Sequence, residues 1–256
     1  MSDYNTNPAG RYGSTVVRGR VAVDAGLRAY MLRVYNYMAL GLAITGAAAL
    51  GTFMIAVGVD PATNKRVLTS IGQLLYASPL KWVVIFAPLA LVFFLSFRIE
   101  RLSVGAAQAL FWIYAALVGL SLSVIFLVFT GQSIVRVFFI TAAAFGGLSL
   151  YGYTTQRDLS GFGSFLIMGL IGVIIASLVN IFLASTMLQW IISVVGVLVF
   201  SGLTAWDTQR IKEMYVESDG TLVAGRKAVM GALSLYLDFL NLFMMLLQLF
   251  GQRDSN

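Results

Sequence analysis

Two aspartates lie within long apolar stretches near the carboxyl end of the sequence and are the residues best placed to do chemistry. Asp238 comes ten residues after Ala228, among Leu, Tyr, Phe and Met side chains. In a helix crossing a membrane, that separation corresponds to a depth of about 15 Å. A carboxylate there costs about 2.5–3.5 kcal/mol, so it must face a bundle interior or a wet cavity and hold a partner or a proton. The simpler alternative is a silent buried carboxyl that hydrogen-bonds Asn241 or a neighbouring Tyr.

Asp207 is the second acidic residue, at the end of the preceding apolar stretch. It stands three residues before Arg210, so an ordinary interfacial pair between these two side chains is a serious alternative to a functional role. The two aspartates are stronger candidates as a pair than either is alone. If their helices are adjacent and antiparallel, both carboxyls lie in the same half of the membrane and within reach of each other. Two carboxylates at one site cannot both ionise cheaply, so the pair would share a proton and act as a proton switch.

Composition restricts the other chemistry that is available. The chain has no Cys and no His, which excludes disulfides, thiol nucleophiles, zinc and haem ligation by these residues, and triads with a His base. The net charge of +6 is explained by Lys and Arg in loops on one side of a membrane, so no nucleic-acid partner is expected. No resident cofactor is expected.

Hydropathy assigns the fold class. Of the 256 residues, 59% are hydrophobic and only 11% are charged, and the mean hydropathy is +0.87, which indicates a chain surrounded by lipid. Crossing the hydrocarbon takes about 20 apolar residues in a helix. Seven stretches of about that length predict an all-α, polytopic membrane protein; they are Val34–Val59, Leu80–Phe97, Leu102–Phe129, Val137–Tyr153, Phe162–Ala184, Met187–Trp206 and Ala228–Phe250.

The remaining sequence predicts a simple domain organisation. Residues 1–17 are polar and are predicted to form a disordered tail, without the pattern of a signal peptide. Residues 18–33 alternate apolar and charged side chains, which indicates either an amphipathic interfacial lead-in helix or a plain basic flank. Residues 34–251 then form one seven-helix transmembrane domain. Small residues at Gly146, Gly147, Gly169 and Gly172 are expected to let helices approach closely.

The distribution of basic residues predicts the orientation. With the amino terminus inside, 12 Lys and Arg residues fall on the cytoplasmic side and 5 on the other. Seven spans then place the carboxyl terminus outside. Six spans with a re-entrant last segment would place both termini inside, and the distribution of Lys and Arg does not exclude this arrangement. Arg98 and Arg101 end the second span on the cytoplasmic side. Either could neutralise an ionised aspartate, or both could be basic side chains that reach to the membrane surface.

Two motifs connect the chain to a known family. The stretches Ala205–Ile211 and Leu233–Phe243 closely resemble the last two helices of the transmembrane Bax inhibitor motif family, and the second stretch is the more specific. The resemblance extends from about residue 30 to Gly251. It implies a bacterial inner-membrane protein with a hydrophobic seventh helix surrounded by the other six, and a calcium leak that depends on pH.

The resemblance also implies roles for particular residues. In bacterial relatives, paired aspartates on the sixth and seventh helices sense protons and calcium, and these correspond to Asp207 and Asp238, which become possible transient calcium ligands. An arginine near the end of the second helix bonds the first of them. The run from Arg98 to Arg101 matches that element imperfectly because it contains Glu100, so both arginines are candidates.

Three functions follow from these observations. The first is a proton-gated calcium leak, in which Ca²⁺ and protons are the partners besides the lipid bilayer. The second is a non-catalytic protein that modulates a membrane protease or another membrane complex. The third is an intramembrane aspartyl protease, which also places one Asp on each of two helices. Leu235–Leu237 stands where that class has Gly-x-Gly, and the Pro-Ala-Leu element is missing, so we expect no enzyme.

Overall fold

A computed structural model describes residues 9–62 and 65–254, with side chains from Ala25 onward. Seven long helices dominate it, and each is long and apolar enough to cross a membrane. They are α1 (Ala9–Ala56), α2 (Leu80–Arg98), α3 (Val104–Leu122), α4 (Gly131–Thr154), α5 (Ser160–Leu183), α6 (Thr186–Glu213) and α7 (Thr221–Phe250). The predicted all-α polytopic class and the seven spans are confirmed.

Short elements complete the connections between the long helices. Strands β1 (Val57–Val59) and β2 (Arg66–Leu68) form an antiparallel hairpin after α1. The helical turns are Ser70–Gly72, a π-helical turn at Gln73–Ala77, a 3₁₀ turn at Ile99–Arg101 and the short helix Ile125–Val128. Opposite ends of the bundle therefore differ, because only the end with the hairpin carries strands among the described residues.

Helices α4 and α6 are longer than the predicted spans, because the prediction ended each span at a polar or charged residue and the helix continues past it. The fourth span was expected to begin at Val137, after Arg136, but α4 begins at Gly131 because the Thr130 side chain accepts a hydrogen bond from the Ser133 N–H. The sixth span was expected to end at Trp206, but α6 continues to Glu213. Asp207 is therefore an internal residue of α6.

The amino-terminal division also differs from the prediction. Residues 1–8 of the predicted disordered tail lie outside the described residues. From Ala9 onward a single helix, α1, occupies both the rest of the tail and the predicted lead-in at 18–33, and it continues into the first span. Once a helix has formed, each added residue gains a hydrogen bond at little nucleation cost, which favours one continuous helix over two.

Helix α7 is the most enclosed of the seven. In its most apolar window 61% of the residues are buried, against 17–33% in the other spans. It packs directly against α1, α3, α4 and α6. An arrangement in which all six other helices surround α7 stays a prediction. The unbroken length of α7, about 45 Å for 30 residues, suits a full span and not a re-entrant segment.

Helices α2 and α5 are the least buried of the seven spans, with 17% of the most apolar window of each buried. Helix α5 packs mainly against α6, and α2 mainly against α3. Both expose large apolar side chains, of which Phe97 and Phe182 are 80% and 88% exposed. Such surface suits contact with lipid tails. The chain is a multi-pass membrane protein.

Close helix approaches occur at glycines, but mostly not at those predicted. A Cβ on Gly152 would lie 2.1 Å from the backbone oxygen of Ala205, which fixes α4 against α6. A Cβ on Gly163 would meet the Trp206 ring at 2.2 Å, which fixes α5 against α6. Of the predicted positions, Gly169 packs against Val199, whereas Gly146, Gly147 and Gly172 have nothing within 4 Å.

Candidate functional site: two carboxyls in one cavity

Asp207 and Asp238 meet between α6 and α7. The two helices are antiparallel neighbours in extensive contact, and both side chains line one cavity of about 620 Å³. The carboxyls are close enough to act on each other electrostatically. Ionised carboxylates only accept hydrogen bonds, so a bond between these two groups requires that one of them carries a proton.

Asp238 is the deeper carboxyl. The residue is 5% exposed, and its Oδ2 is buried without a hydrogen-bond partner in the described part of the chain. An unpartnered buried oxygen is expensive and marks a place where a proton, a cation or water is expected to bind. Asn241, which the sequence offered as an alternative partner, instead donates from Nδ2 to the backbone oxygen of Leu237 at 2.8 Å.

The cavity wall is otherwise largely apolar. Helix α5 contributes aliphatic side chains and Ser177, α2 contributes Leu89, and α7 adds Ser234 and Asn241 near the carboxyls. Arg210 is the remaining charged group in the wall. Low polarity strengthens every interaction of the carboxyls with each other and with an entering ion.

Arg210 is the basic residue that the structure places at this site. It acts on Asp207 electrostatically, and its guanidinium lies 5.5 Å from the centre of the Trp206 ring. The close pair with Asp207 that the sequence offered as an alternative is not formed: the ion pairs within 4.0 Å among the described residues are Arg66–Asp254 and Lys227–Asp219. Arg210 therefore acts on Asp207 across a longer distance than an ion pair.

Arg98 and Arg101 lie elsewhere in the structure. Both are exposed at the end of α2 and in the following 3₁₀ turn, and neither is among the residues that line the cavity. Their role as charge partners of Asp207 stays a prediction. Glu100, between them, lines a different cavity with Arg226 and Lys227.

Several polar side chains fix the loops that hold α5, α6 and α7 in place. Gln209, which is buried, accepts from the Leu159 N–H and donates to the Arg157 carbonyl, each at 2.8 Å. Before α5, the Asp158 carboxylate accepts the Ser160 N–H at 2.8 Å, and hydrogen bonds from the side chain and backbone of Ser160 lower the pKa of Asp158. Lys227 binds the Met214 carbonyl and Asp219.

The two carboxyls supply only part of the oxygen ligands that a calcium ion takes. Calcium takes about six to eight oxygen ligands. Asp207 and Asp238 supply four carboxylate oxygens, and no group of three or more acidic, His or Cys side chains with metal-site geometry occurs among the described residues. A calcium ion at this site would therefore keep part of its water shell.

Comparison with known proteins identifies the family. The model of the family described as "Inhibitor of apoptosis-promoting Bax1" matches residues 27–255. The chain belongs to this family. Among relatives of this Bax inhibitor family member, the inner membrane protein YbhL of Escherichia coli is 47% identical over 231 residues, which are 90% of this chain and 94% of YbhL.

Other bacterial relatives cover the chain equally well. An uncharacterized protein of Rickettsia prowazekii is 49% identical over 232 residues, 90% of this chain and 92% of its own length. An uncharacterized membrane protein of Streptococcus pyogenes is 36% identical over 233 residues, 90% of this chain and 96% of its own length. The predicted family membership is confirmed over nearly the whole transmembrane region.

Proposed function

We propose that this Bax inhibitor family protein is a pH-sensitive calcium leak channel, switched by a proton shared between Asp207 and Asp238. The observation that carries the proposal is that two interacting carboxyls from adjacent helices line one cavity. With one proton between them, the carboxyls attract each other and hold α6 against α7. The path is then closed.

Loss of the shared proton reverses the interaction. Two ionised carboxylates repel each other in a wall whose other members are mostly hydrocarbon, and this favours an arrangement in which they separate. Their oxygens then attract Ca²⁺, which prefers such ligands. Arg210 is the positive charge among the described residues of the cavity wall, and α2 and α5 contribute only uncharged side chains to it. The balance between proton, calcium and Arg210 therefore sets the pH of opening.

The setting of the channel is part of the proposal. We infer a bacterial inner membrane with the amino terminus in the cytoplasm, on the basis of the basic-residue asymmetry. A reporter that works only in the cytoplasm is expected to be active when fused before Met1 and inactive after Asn256. The opposite pattern, or activity at both ends, would contradict seven spans with the amino terminus inside.

Flux measurements test the function. Purified protein in liposomes loaded with a calcium indicator is expected to pass Ca²⁺ faster at alkaline than at acid pH. In Asp207→Asn with Asp238→Asn, this pH dependence should disappear, because the amides neither share a proton nor ionise. Glu213→Gln is the matched control, since it removes an exposed carboxyl from the same helix.

Two results distinguish the proposal from its alternatives. Equal flux in wild type and in the double variant at every pH would overturn it. A stoichiometric membrane partner that co-purifies with a protein without flux would instead indicate the interaction protein considered above. Cleavage of a single-span reporter that depends on both aspartates would indicate the protease.

A further inference from the structure

Helix α7 carries a polar stripe that continues beyond the two-aspartate cavity. Ser234, Asp238, Asn241 and Gln248 are separated by four, three and seven residues and so lie on one face of the helix. The first three line the cavity described above. Gln248 lies one turn past its end, near the outer end of α7, and lines a second cavity.

The second cavity is a polar opening at the end of the bundle that carries the β-hairpin. It has a volume of about 340 Å³ and is formed by the turn between α5 and α6 together with the end of α7. Asn180 Nδ2 donates to Gln189 Oε1 at 3.1 Å, and Asn180 Oδ1 accepts the Ser185 N–H at 3.0 Å. Ser193 and Arg253 complete the polar lining. We call this cavity the outer vestibule.

Met245 lines the two-aspartate cavity and lies one helical turn before Gln248 of the outer vestibule. A Cβ on Gly196 would lie 2.9 Å from both Cγ and Sδ of Met245, so the Met side chain fills the space that a larger residue at position 196 would need. Along α6, Gly196 stands between Ser193 in the vestibule and Phe200 in the cavity. Along α7, Met245 stands between Gln248 and Asn241 in the same way.

We propose that Met245, seated on Gly196, is a hydrophobic gate in a calcium route that runs from the outer vestibule along α7 to Asp238. The proposal rests on the calcium leak proposed above. A thioether is a poor ligand for a hard cation, and a narrow apolar constriction expels water, so the contact blocks a hydrated ion. Methionine has three rotatable side-chain bonds, which lets the plug leave Gly196 without unfolding either helix.

The gate and the carboxyl pair act on the same two helices. Met245 lies seven residues after Asp238, which is two turns along the same face of α7. Separation of α6 from α7 at the carboxyls also widens the space at Gly196, because both contacts join the same pair of helices. Opening at the aspartates and release of Met245 are thus two parts of one movement.

Flux through gate variants gives the first test. Met245→Ala removes the plug and is expected to raise Ca²⁺ flux several-fold, most strongly at acid pH, where the wild type is closed. Met245→Leu restores an apolar plug of similar volume and should keep flux near the wild-type rate. Met244→Ala is the matched control, because Met244 packs against the core and lines neither cavity.

Thiol labelling gives a second test that needs no calcium flux. The chain has no Cys, so single cysteines can be introduced without any background. In sealed vesicles with a hydrophilic, membrane-impermeant thiol reagent on the vestibule side, Gln248→Cys is expected to react in every background. Asn241→Cys should react slowly with Met245 present and several-fold faster with Met245→Ala. Gly196→Ala, which displaces the Met side chain, should also speed this reaction.

The two tests separate failure of the gate from failure of the calcium proposal. Equal labelling of Asn241→Cys with Met245 and with Met245→Ala would overturn the gate, whatever the flux. Faster labelling without calcium flux in any variant would support the gate and overturn the calcium leak. Unchanged flux in Met245→Ala, in a preparation whose wild type leaks in a pH-dependent way, would overturn the gate alone.

Discussion

The two faces of α7 differ in what they contact and in what they contribute. One face packs into the protein core through Tyr236, which is fully buried and lies edge-on to Phe111 and Tyr114 at centroid distances of 5.5 and 5.7 Å. The other face carries Asp238 and Asn241 into a cavity. The core face stabilises the helix, so the cavity face can hold groups that are costly in hydrocarbon.

The hydroxyl of Tyr236 shows how completely the core face is satisfied. It lies 2.6 Å from Thr45 Oγ1, and that oxygen is also 2.9 Å from the Ala115 carbonyl. Two residues later, Asp238 has a buried oxygen without a hydrogen-bond partner among the described residues. A complete hydrogen-bond network fixes one structure, whereas an incomplete one leaves a binding capacity open. Substitutions on the two faces should therefore have opposite consequences.

The largest expected effect is from Tyr236→Ala. Removing a fully buried ring leaves a cavity and is expected to cost about 3–5 kcal/mol of stability. Thermal unfolding in detergent, followed by fluorescence, measures the loss. Tyr236→Phe keeps the ring contacts and loses only the bond to Thr45, for about 1 kcal/mol. Equal melting of Tyr236→Ala and wild type would remove the distinction between the two faces.

Asp238→Asn tests the opposite face with a substitution of nearly constant volume. We expect the variant to be at least as stable as wild type, and at pH 8 more stable by about 1 kcal/mol, since it cannot carry a like charge beside Asp207. Melting curves at pH 5 and pH 8 measure this. A large loss of stability at both pH values would show that the carboxyl is a structural group.

Asn241→Leu sharpens the comparison within the cavity face. The Asn side chain bonds only to its own helix among the described contacts, so stability should change by less than about 1 kcal/mol. The cavity would lose an oxygen close to Asp238, and calcium flux is expected to fall. A loss of stability as large as that of Tyr236→Ala would show that Asn241 stabilises the fold, as the residues of the core face do.

The smallest effect is expected where the chain leaves α7. Arg66 of the hairpin and Asp254 form an ion pair at 2.6 Å, and the side chains of Arg66 and Asp254 are 42% and 10% exposed. Such pairs contribute about 0–1 kcal/mol and weaken with salt. Asp254→Asn should lower the melting temperature slightly at low ionic strength and have no effect in high salt. A salt-independent loss would contradict a simple surface pair.

Sequence reasoning succeeded where the signal is local. Each span is a continuous apolar run, and Asp238 stands out because no other charge is near it in the run. It was less successful at helix ends. Arg136 suggested a boundary, but the cap formed by Thr130 decides where α4 begins. A charged residue marks where the chain leaves the hydrocarbon, but a long helix continues beyond the hydrocarbon. The position of the charge therefore does not show where the helix ends.

Contacts between distant residues were the harder part. Arg210 entered the sequence analysis only as a possible pair for Asp207, yet it lines the cavity, whereas Arg98 and Arg101 do not. Asn180 and Gln248 lie far apart in the sequence and line the same vestibule. Periodicity shows which residues share a face of one helix, but it does not show which helix that face meets.

The sequence by itself determined the class of the protein, the number of its spans and the two carboxyls that hydrocarbon would not tolerate without a partner. These conclusions depend on transfer free energies of residues along the chain, which are local properties. The tertiary structure alone decided that Asp207 meets Asp238, that Arg210 shares their cavity and that Met245 rests on Gly196. Those contacts depend on how side chains of different helices interlock, and many different packings satisfy the same hydrophobic pattern.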